Sequence, residues 1–358
     1  MKKEASDKRN FLNRFLKNKG AIFGVIIILI AIITAIFAYV LAPDNSTNAN
    51  KIIPEIASEK PGFSIQLLRI KKQVGNASQS FFSSAIFGKE DMYEYVPIIS
   101  YEKTKDSLIV NKYVDTGVTE KKSYALSALS YDIITQKFLL GTDKFGRDIL
   151  SRIIVGTRVS LSVGLIALII SLTIGVLLGA LAGYYKGWVD NIIMWLINVI
   201  WSIPTLLLVF AITLLLGKGF WQVFIAVGLT MWVNVARLVR GQVMQVKEME
   251  YIQAARALGF SNARIIIKHI LPNIFGPVMV IAASNFASAI IIEAGLGFLG
   301  IGVQPPQPSW GLMIKENYNF IITNNPLPAI EPGIAIMLLV LAFNLLGNGL
   351  RDAFSVKD

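Results

Sequence analysis

The side chains that most often carry out enzyme chemistry are scarce in this 358-residue sequence, which has one histidine, His269, and no cysteine. Without cysteine there is no disulfide, thiolate metal site or cysteine nucleophile. One histidine without cysteine cannot build the usual zinc site. Two glycine–lysine pairs, Gly88-Lys89 and Gly217-Lys218, lack the preceding glycine and the following hydroxyl residue of a phosphate-binding loop. The sequence therefore predicts no catalytic residue, no metal site and no bound cofactor on this chain.

Ionisable side chains are also rare within the long apolar stretches of the sequence. Glu293 and Glu331 fall near the ends of such stretches, whereas Asn198, Asn285 and Asn344 are polar but neutral. An ion-coupled carrier needs ionisable groups near the centre of a membrane span. The neutral amides are more typical of hydrogen bonds between helices than of substrate ligands. If the chain takes part in transport, we expect the energy to come from another protein.

The composition points to long apolar helices. Hydrophobic types make up 54% of the residues and charged types 16%, with a mean hydropathy of +0.58, whereas soluble domains carry roughly a quarter charged residues. A helix that crosses a bilayer needs about 20 largely apolar residues. Six stretches meet or approach this length and predict an all-α membrane protein with six transmembrane helices: 21–42, 159–185, 191–217, 219–236, 272–295 and 330–350.

The basic residues predict how these spans are oriented. The formal net charge is +11, and on so apolar a chain we relate it to the lipid bilayer rather than to nucleic acid. Residues 1–20 hold seven lysines and arginines, and residues 237–271 hold six. Because these residue types are enriched on the cytoplasmic side, both segments and both termini are predicted to be cytoplasmic. Within this segment, residues 10–19 have either the amphipathic pattern of a helix lying in the membrane interface or the composition of a simple basic flank of the first span.

The segment 43–138 is too long to be a simple connection between the first two spans. Long segments cross the membrane largely regardless of their charge. We therefore predict a small, β-rich extracytoplasmic insert over 43–138, followed by a helical core over 139–358. The insert contains four strand-like runs separated by turn-prone residues: 63–70, 93–101, 107–114 and 122–126.

The segment 237–271, between spans four and five, has the pattern of two short helices that meet at a corner. Glu248 and Glu250 are predicted in the first turn of one helix, where acidic side chains favour the helix dipole. Gly259 is suited to end that helix in the left-handed conformation. Ser261 is suited to cap a second helix, which would run into Pro272. Such a corner is either a rigid projection that fits a groove on a partner or an ordinary surface loop.

Three glycines at four-residue spacing, Gly175, Gly179 and Gly183, lie on one face of the second span. Small residues at this spacing let another helix approach closely. We interpret them as helix-packing residues within the bundle.

The corner segment resembles the EAA loop of ABC-importer permeases, whose pattern is E-A-A, three residues, G, nine residues, I-x-L-P. Here a glutamine replaces the leading acid, and His269 stands where isoleucine is usual. The form "AARALG…HILPN" is similar to the peptide/nickel branch in particular. The resemblance implies that these residues contact the ATPase of such an importer: Gln253, Ala254, Ala255, Arg256, Gly259, Leu271 and Pro272.

Three further segments resemble the dipeptide and oligopeptide permeases of that branch. Residues 141–152 are similar to the G-T-D-x-x-G-R-D-x-x-S-R run before span two, and residues 293–311 and 341–352 are similar to an outer loop and the last span. We expect the first run to lie at the outer face, with Asp148 and Arg152 as an exposed ion pair four residues apart. Its motif residues are Gly141, Thr142, Asp143, Gly146, Arg147 and Asp148.

The resemblance covers 11–42 and 139–358 and implies the type I ABC importer permease fold. It is closest in kind to the C-type subunit (DppC/OppC-like) of the dipeptide/oligopeptide/nickel branch, in the cytoplasmic (inner) membrane of a bacterium. The implied function is import of peptides by alternating access, with the coupling loop over 237–271. A permease for nickel or another small solute is the alternative, and an ion-coupled secondary carrier is a more distant one.

The resemblance also implies a set of partners. These are a second, related permease subunit, two ABC ATPase subunits that bind ATP and Mg, and an extracytoplasmic solute-binding protein that delivers the substrate. No residue of this chain is then expected to do covalent chemistry.

Overall fold

The structure is a computed structural model that describes residues 11–72, 80–126, 130–217, 219–322 and 325–355. Residues 1–10 of the predicted interfacial helix, two short pieces of the predicted insert and the last three residues lie outside these ranges. The chain divides into two compact units. The first comprises the described parts of 1–32, 160–303 and 336–358, and the second comprises those of 33–159 and 304–335.

Most of the described chain is helical. The helices, in chain order, are α1 (11–17), α2 (Lys19–Ile36), α3 (Ala38–Leu41), α4 (Phe81–Phe87), α5 (Ile149–Tyr185), α6 (Gly187–Trp201), α7 (Thr205–Leu216), α8 (Phe220–Lys247), α9 (Glu250–Ala257), α10 (Asn262–Ile265), α11 (Phe275–Leu299), α12 (Trp310–Asn317) and α13 (Leu327–Phe354). Between α10 and α11 the chain stays helical through a π turn, Ile266–Ile270, and a 3-10 turn, Leu271–Ile274.

Within the described ranges, five helical segments are long and apolar enough to cross a membrane, or six if a bent pair counts as one span. The bent pair is α6 and α7, whose axes differ by 92°. The sequence predicted one span over 191–217, and the structure breaks it before Thr205. Pro204 explains the break, because proline has no N–H for the helix and disfavours helical geometry at the residue before it.

The helix that contains the fourth predicted span, 219–236, is longer than that span. Helix α8 continues to Lys247, so Arg237 and Arg240, which the sequence predicted in the following loop, lie inside a helix. Charges end an apolar run in the sequence, but they need not end a helix. Here the guanidinium of Arg240 binds the carboxylate of Asp190 on α6, which makes a charge in this helix tolerable.

In the first unit, α5 packs closely against α8 along the three glycines of the predicted stripe. A Cβ atom at Gly175 would lie 2.5 Å from Cβ of Val235, and one at Gly179 would lie 2.5 Å from the Ala236 carbonyl oxygen. At Gly183 it would lie 2.6 Å from the Arg240 carbonyl oxygen. Any side chain on this face would therefore push the two helices apart.

In the second unit, five strands form one antiparallel sheet of order β4-β3-β2-β1-β5. Each of the four predicted strand runs falls on a strand, although the run 122–126 extends one residue past the end of its strand, and a fifth strand was missed. The fifth has two adjacent isoleucines, Ile133 and Ile134, which break the alternation that marks a strand in sequence. The strands are β1 (Phe63–Lys71), β2 (Tyr93–Lys103), β3 (Ser107–Asp115), β4 (Val118–Ala125) and β5 (Tyr131–Phe138).

The centre of this sheet is apolar on both faces. Leu67 and Leu68 are neighbours on β1 and both are fully buried, although successive side chains of a strand point to opposite faces. Leu67 packs with Ile53 and Ile56, and Leu68 packs with residues of β2 and β3. The residues before β1 are therefore part of the core on one face of the sheet.

Candidate functional site

The corner predicted between spans four and five is formed by α9, Gly259 and α10, in the first unit. Gly259 has a φ of +75°, and its N–H donates to the Arg256 carbonyl at 3.0 Å. The N–H of Phe260 donates to the Ala255 carbonyl at 3.2 Å. This pair of bonds is the usual way to end a helix with a left-handed glycine. Ser261 then caps α10, because its hydroxyl accepts a hydrogen bond from the Arg264 N–H.

One detail of the predicted corner is wrong. Glu248 does not lie in the first turn of α9, because it follows the last residue of α8, and only Glu250 lies in that turn. The carboxylate of Glu248 instead accepts a hydrogen bond of 2.9 Å from Lys186 Nζ. This bond and the nearby ammonium charge lower the pKa of Glu248 below its ordinary value.

The buried side of the corner is held by α5 and α8. Ile252 and Ala255 are buried in one apolar cluster with Tyr184 and Val243. The Tyr184 hydroxyl donates to Asn262 Oδ1 at 2.7 Å, and Lys247 Nζ donates to the Tyr184 carbonyl at 2.6 Å. Packing therefore holds α9, while the two hydrogen bonds of Tyr184 join α5 to α10 and to the end of α8.

The other side of the corner is exposed. Of the residues predicted to contact an ATPase, Ala255 is buried, Leu271 is half-buried, and the rest are exposed: Gln253, Ala254, Arg256, Gly259 and Pro272. The sequence analysis missed Tyr251 and Leu258, which are 46% and 75% exposed. With Ala254 they follow the i, i+3, i+7 spacing of one helix face, and this spacing was available as a signal. An apolar helix face on a rigid support suits a groove in a partner.

The run 141–148, in the second unit, is a tight loop built around two left-handed glycines. Gly141 and Gly146 have φ values of +78° and +72°. A Cβ atom at Gly146 would lie 1.8 Å from the Ile53 carbonyl oxygen, and one at Gly141 would lie 2.3 Å from the Glu59 carbonyl oxygen. The Thr142 hydroxyl donates to the Ile56 carbonyl at 2.5 Å and accepts from the Glu59 N–H at 2.9 Å. The loop therefore holds residues 53–59 in place.

The charged residues of this run form a buried ionic cluster. Asp143 Oδ2 accepts a hydrogen bond of 2.7 Å from Arg147 Nε, and Arg147 Nη2 lies 2.5 Å from Glu316 Oε2. Asp143 and Arg147 are 1% and 3% exposed. Glu316 was missed because it lies on α12, far along the sequence. Since the charges are buried and paired, these side chains support the loop and present no charged surface.

The predicted exposed pair of Asp148 and Arg152 is wrong. Both side chains are buried. Arg152 lies 3.7 Å from Asp143 Oδ2 and 3.4 Å from Glu316 Oε2. Asp148 precedes α5, and its carboxylate accepts a hydrogen bond from the Ser151 N–H, as a helix N-cap does. Burial raises the pKa of Asp148 above its ordinary value.

Over the described part of the chain, no group of three or more histidine, aspartate or glutamate residues is arranged to hold a metal ion. The two sites are therefore built from packing, hydrogen bonds and ion pairs. In the ranges that the structure describes, five or six helices long and apolar enough to cross a membrane define the class of helical membrane proteins.

Comparisons with known proteins agree with this class. The family of binding-protein-dependent transport system inner membrane components matches residues 175–357. The N-terminal transmembrane domain of oligopeptide transport permease C matches residues 8–58. The dipeptide transport system permease protein DppC of Alkalihalophilus pseudofirmus is 44% identical over 281 residues, which are 74% of this chain and 92% of that protein.

Other similar proteins have a different substrate in their names. The glutathione transport system permease protein GsiD of Pectobacterium atrosepticum is 44% identical over 61% of this chain and 72% of its own. An inward-facing structure of the MetNI methionine ABC transporter covers 58% of this chain and 98% of its own, at 17% identity and a TM-score of 0.49. That score is too low to compare the two folds in detail.

The chain belongs to the family of binding-protein-dependent transport system inner membrane components and is a DppC/OppC-like ABC permease. It is a transport subunit and not an enzyme, since the ATPase of such importers is a separate chain. The family works with an ATPase, with permease subunits and with a substrate-binding protein. Both family models leave residues 59–174 unmatched, and these residues include the whole sheet and the 141–148 loop.

Proposed function

We propose that this chain forms one half of the translocation path of an ATP-driven importer of peptides. The names of the relatives support this cargo, because dipeptides and glutathione are both short peptides. A second, related permease would form the other half of the path. Two ATPase subunits, which bind the ATP and Mg, and a solute-binding protein would complete the complex.

The exposed face of α9 is the observation that carries this proposal. We place the ATPase contact on Tyr251, Ala254 and Leu258, together with Gln253 and Arg256 at its edges. The left-handed Gly259 and the buried Ile252 determine the orientation of this face of α9. ATP-driven closure of the ATPase pair would press on α9 and so rock the spans between inward-open and outward-open states.

We further propose six membrane crossings, with α6 and α7 together as one of them. The basic residues 1–20 and those of the corner support a cytoplasmic position for both segments and for both termini. The β-rich insert would then lie outside the inner membrane of a bacterium, between the first two spans. There it is available to the solute-binding protein or to the second permease.

The test is purification of the tagged full-length chain from its native membrane, with identification of every protein that accompanies it. The complex is then reconstituted in vesicles, and ATP-dependent uptake of a labelled dipeptide and of nickel is measured. We expect an ATPase and a second permease to accompany the chain, and dipeptide to enter. If nickel enters the vesicles and the dipeptide does not, nickel replaces peptides as the assigned substrate. A chain that purifies without an ATPase would contradict the proposal.

Variants at Gly259 test the contact itself. Gly259→Val should lose the ATPase, because a β-branched residue is strained at a φ of +75°. Gly259→Asn should keep it, because asparagine tolerates the left-handed conformation. Gly241→Val is the matched control, since Gly241 lies on α8 and a Cβ atom added there would have no neighbour within 4 Å. If the Gly259→Val variant retains the ATPase, the corner is not part of the contact with the ATPase.

A further inference from the structure

Arg237 lies inside the apolar helix α8. No carboxylate among the described residues balances the charge of its guanidinium. Its guanidinium lies 3.5 Å from the centre of the Trp201 ring, and its Nη2 donates to Asn198 Oδ1 at 3.3 Å. Its Nε is buried and has no hydrogen-bond partner in the described part of the chain. Arg240, one turn further on, differs because Asp190 binds it through two hydrogen bonds. Of these two arginines, only one is neutralised.

The Trp201 ring that lies against Arg237 also lines a cavity. This cavity has a volume of 220 Å³ and lies at the bend between α6 and α7, against α8 and α11. The Trp201 Nε1 donates to Asn234 Oδ1 at 3.3 Å, so ring and amide are fixed beside Arg237. The polar side chains lining the cavity are Trp201, Thr205, Thr230, Asn234 and Ser288. Hydroxyl and amide groups can bind the backbone of a peptide whatever its side chains.

This cavity opens on a face of the bundle that is unsuited to lipid. Thr205 and Asn234, which line the cavity, are exposed, and Trp201 is 52% exposed. Ser284, one turn before the lining Ser288 on α11, is also exposed. Polar groups that face hydrocarbon are costly, and they are found where a helix lines water or meets other protein. A face with exposed hydroxyls, an exposed amide and a cation therefore belongs to a path or to an interface.

We propose that Arg237, held by Trp201 and Asn198 beside this cavity, binds the terminal carboxylate of the peptide during its passage. The inference rests on the proposed peptide function and adds a cargo-binding site to it. A guanidinium presents parallel N–H donors that match a carboxylate. Every peptide with a free C-terminus carries that group, so one arginine serves cargo of any sequence. We call Asn198, Trp201, Asn234 and Arg237 the bend site.

The most specific variant replaces only the side-chain amide of Asn198 at the bend site. Asn198→Asp puts a carboxylate within hydrogen-bond distance of Arg237, so the arginine becomes neutralised within the chain. Arg237→Gln removes the charge directly. Asn344→Asp makes the same chemical change on an exposed position of another apolar helix, α13, and is the matched control.

The test compares uptake of a dipeptide and of its C-terminal amide by the reconstituted complex, with the binding protein present. Equilibrium binding of both compounds to the complex without the binding protein is a second measurement, which is independent of selection by that protein. Asn198→Asp and Arg237→Gln should lower uptake and binding of the free dipeptide about tenfold, the loss of one charge-assisted interaction. They should leave the amide unchanged, and Asn344→Asp should match the parent with both compounds.

Two results would overturn the inference, and a third would overturn the function on which it rests. An equal loss for dipeptide and amide would show that Arg237 does not act through the terminal carboxylate of the peptide. No loss for either compound would place the bend site off the path. A parent complex that moves neither compound would instead overturn the peptide function itself, and this is seen before any variant is compared.

Discussion

Asp190 on α6 and Arg240 on α8 are joined by two hydrogen bonds, of 2.5 Å to Nε and 2.6 Å to Nη2. Both side chains are largely buried, with 12% and 27% of their surface exposed. The pair ties α6 to α8, the two helices that carry the residues of the bend site. A planar two-bonded contact of this kind fixes distance and orientation together.

We predict that Asp190→Asn destabilises the protein, because it leaves the Arg240 charge without a partner. The expected loss is about 2 kcal/mol, between the values for exposed and fully buried pairs. Thermal unfolding in detergent measures it. The double variant Asp190→Asn with Arg240→Gln should recover part of the loss, since no unpaired charge remains. If the single variant unfolds like the parent, the pair contributes nothing to stability.

We predict that Gly146→Ala is far more damaging than Gly117→Ala. Both glycines have positive φ, +72° and +80°, so both substitutions carry a backbone strain of about 1–2 kcal/mol. Only at Gly146 does the new Cβ meet backbone, at 1.8 Å from the Ile53 carbonyl oxygen, whereas nothing lies within 4 Å at Gly117. The clash should add about 1–3 kcal/mol.

The measurement for this pair is thermal unfolding together with limited proteolysis of the insert. The Gly146 variant should be cleaved faster between residues 43 and 62. Equal effects of the two substitutions would mean that the contact with Ile53 is not made in solution.

We predict a pH-dependent contribution from Asp132, which lies opposite Arg69 across β1 and β5. The Arg69 guanidinium binds this carboxylate through two hydrogen bonds. These bonds lower the pKa of Asp132 below its ordinary value of 3.8. Since the folded pKa is the lower one, the contribution is present above the unfolded pKa and is lost as the pH falls through the folded pKa.

Asp132→Asn should therefore lower the unfolding temperature at neutral pH. The difference from the parent should shrink as the pH falls below 3.8 and the parent carboxylate takes up its proton. The same substitution made together with Arg69→Gln should show no such trend, because the ion pair is already absent. A difference that is constant with pH would exclude the ion pair as its source.

The sequence predicted what depends on local rules. The left-handed Gly259 and the Ser261 cap follow from the preferences of single residues at helix ends. The four strand runs follow from apolar alternation and turn residues, and the glycine stripe follows from its spacing. In each case the signal lies within a few residues of the feature that it predicts.

The features that the sequence did not predict depend on partners that are distant in the chain. Arg240 stays in a helix because Asp190 is there to bind it, and Arg152 turns away from Asp148 because Glu316 is present on α12. Strand β5 forms because β1 offers it an edge. Charge and hydropathy patterns describe one segment at a time. They therefore predict that a charged residue lies in a loop unless its ion-pair partner elsewhere in the chain is known.

Helix α8 is unbroken from Phe220 to Lys247, beside a neighbour that bends by 92°. Arg237 and Lys247 lie on this one rod, about 15 Å apart at the rise of an α-helix. Lys247 in turn binds the carbonyl of Tyr184, beneath the corner. A helix without a break moves as one body, so a displacement of the end near Lys247 would also displace Arg237. Helix α8 thus carries part of the bend site, Asn234 and Arg237, and ends next to the corner.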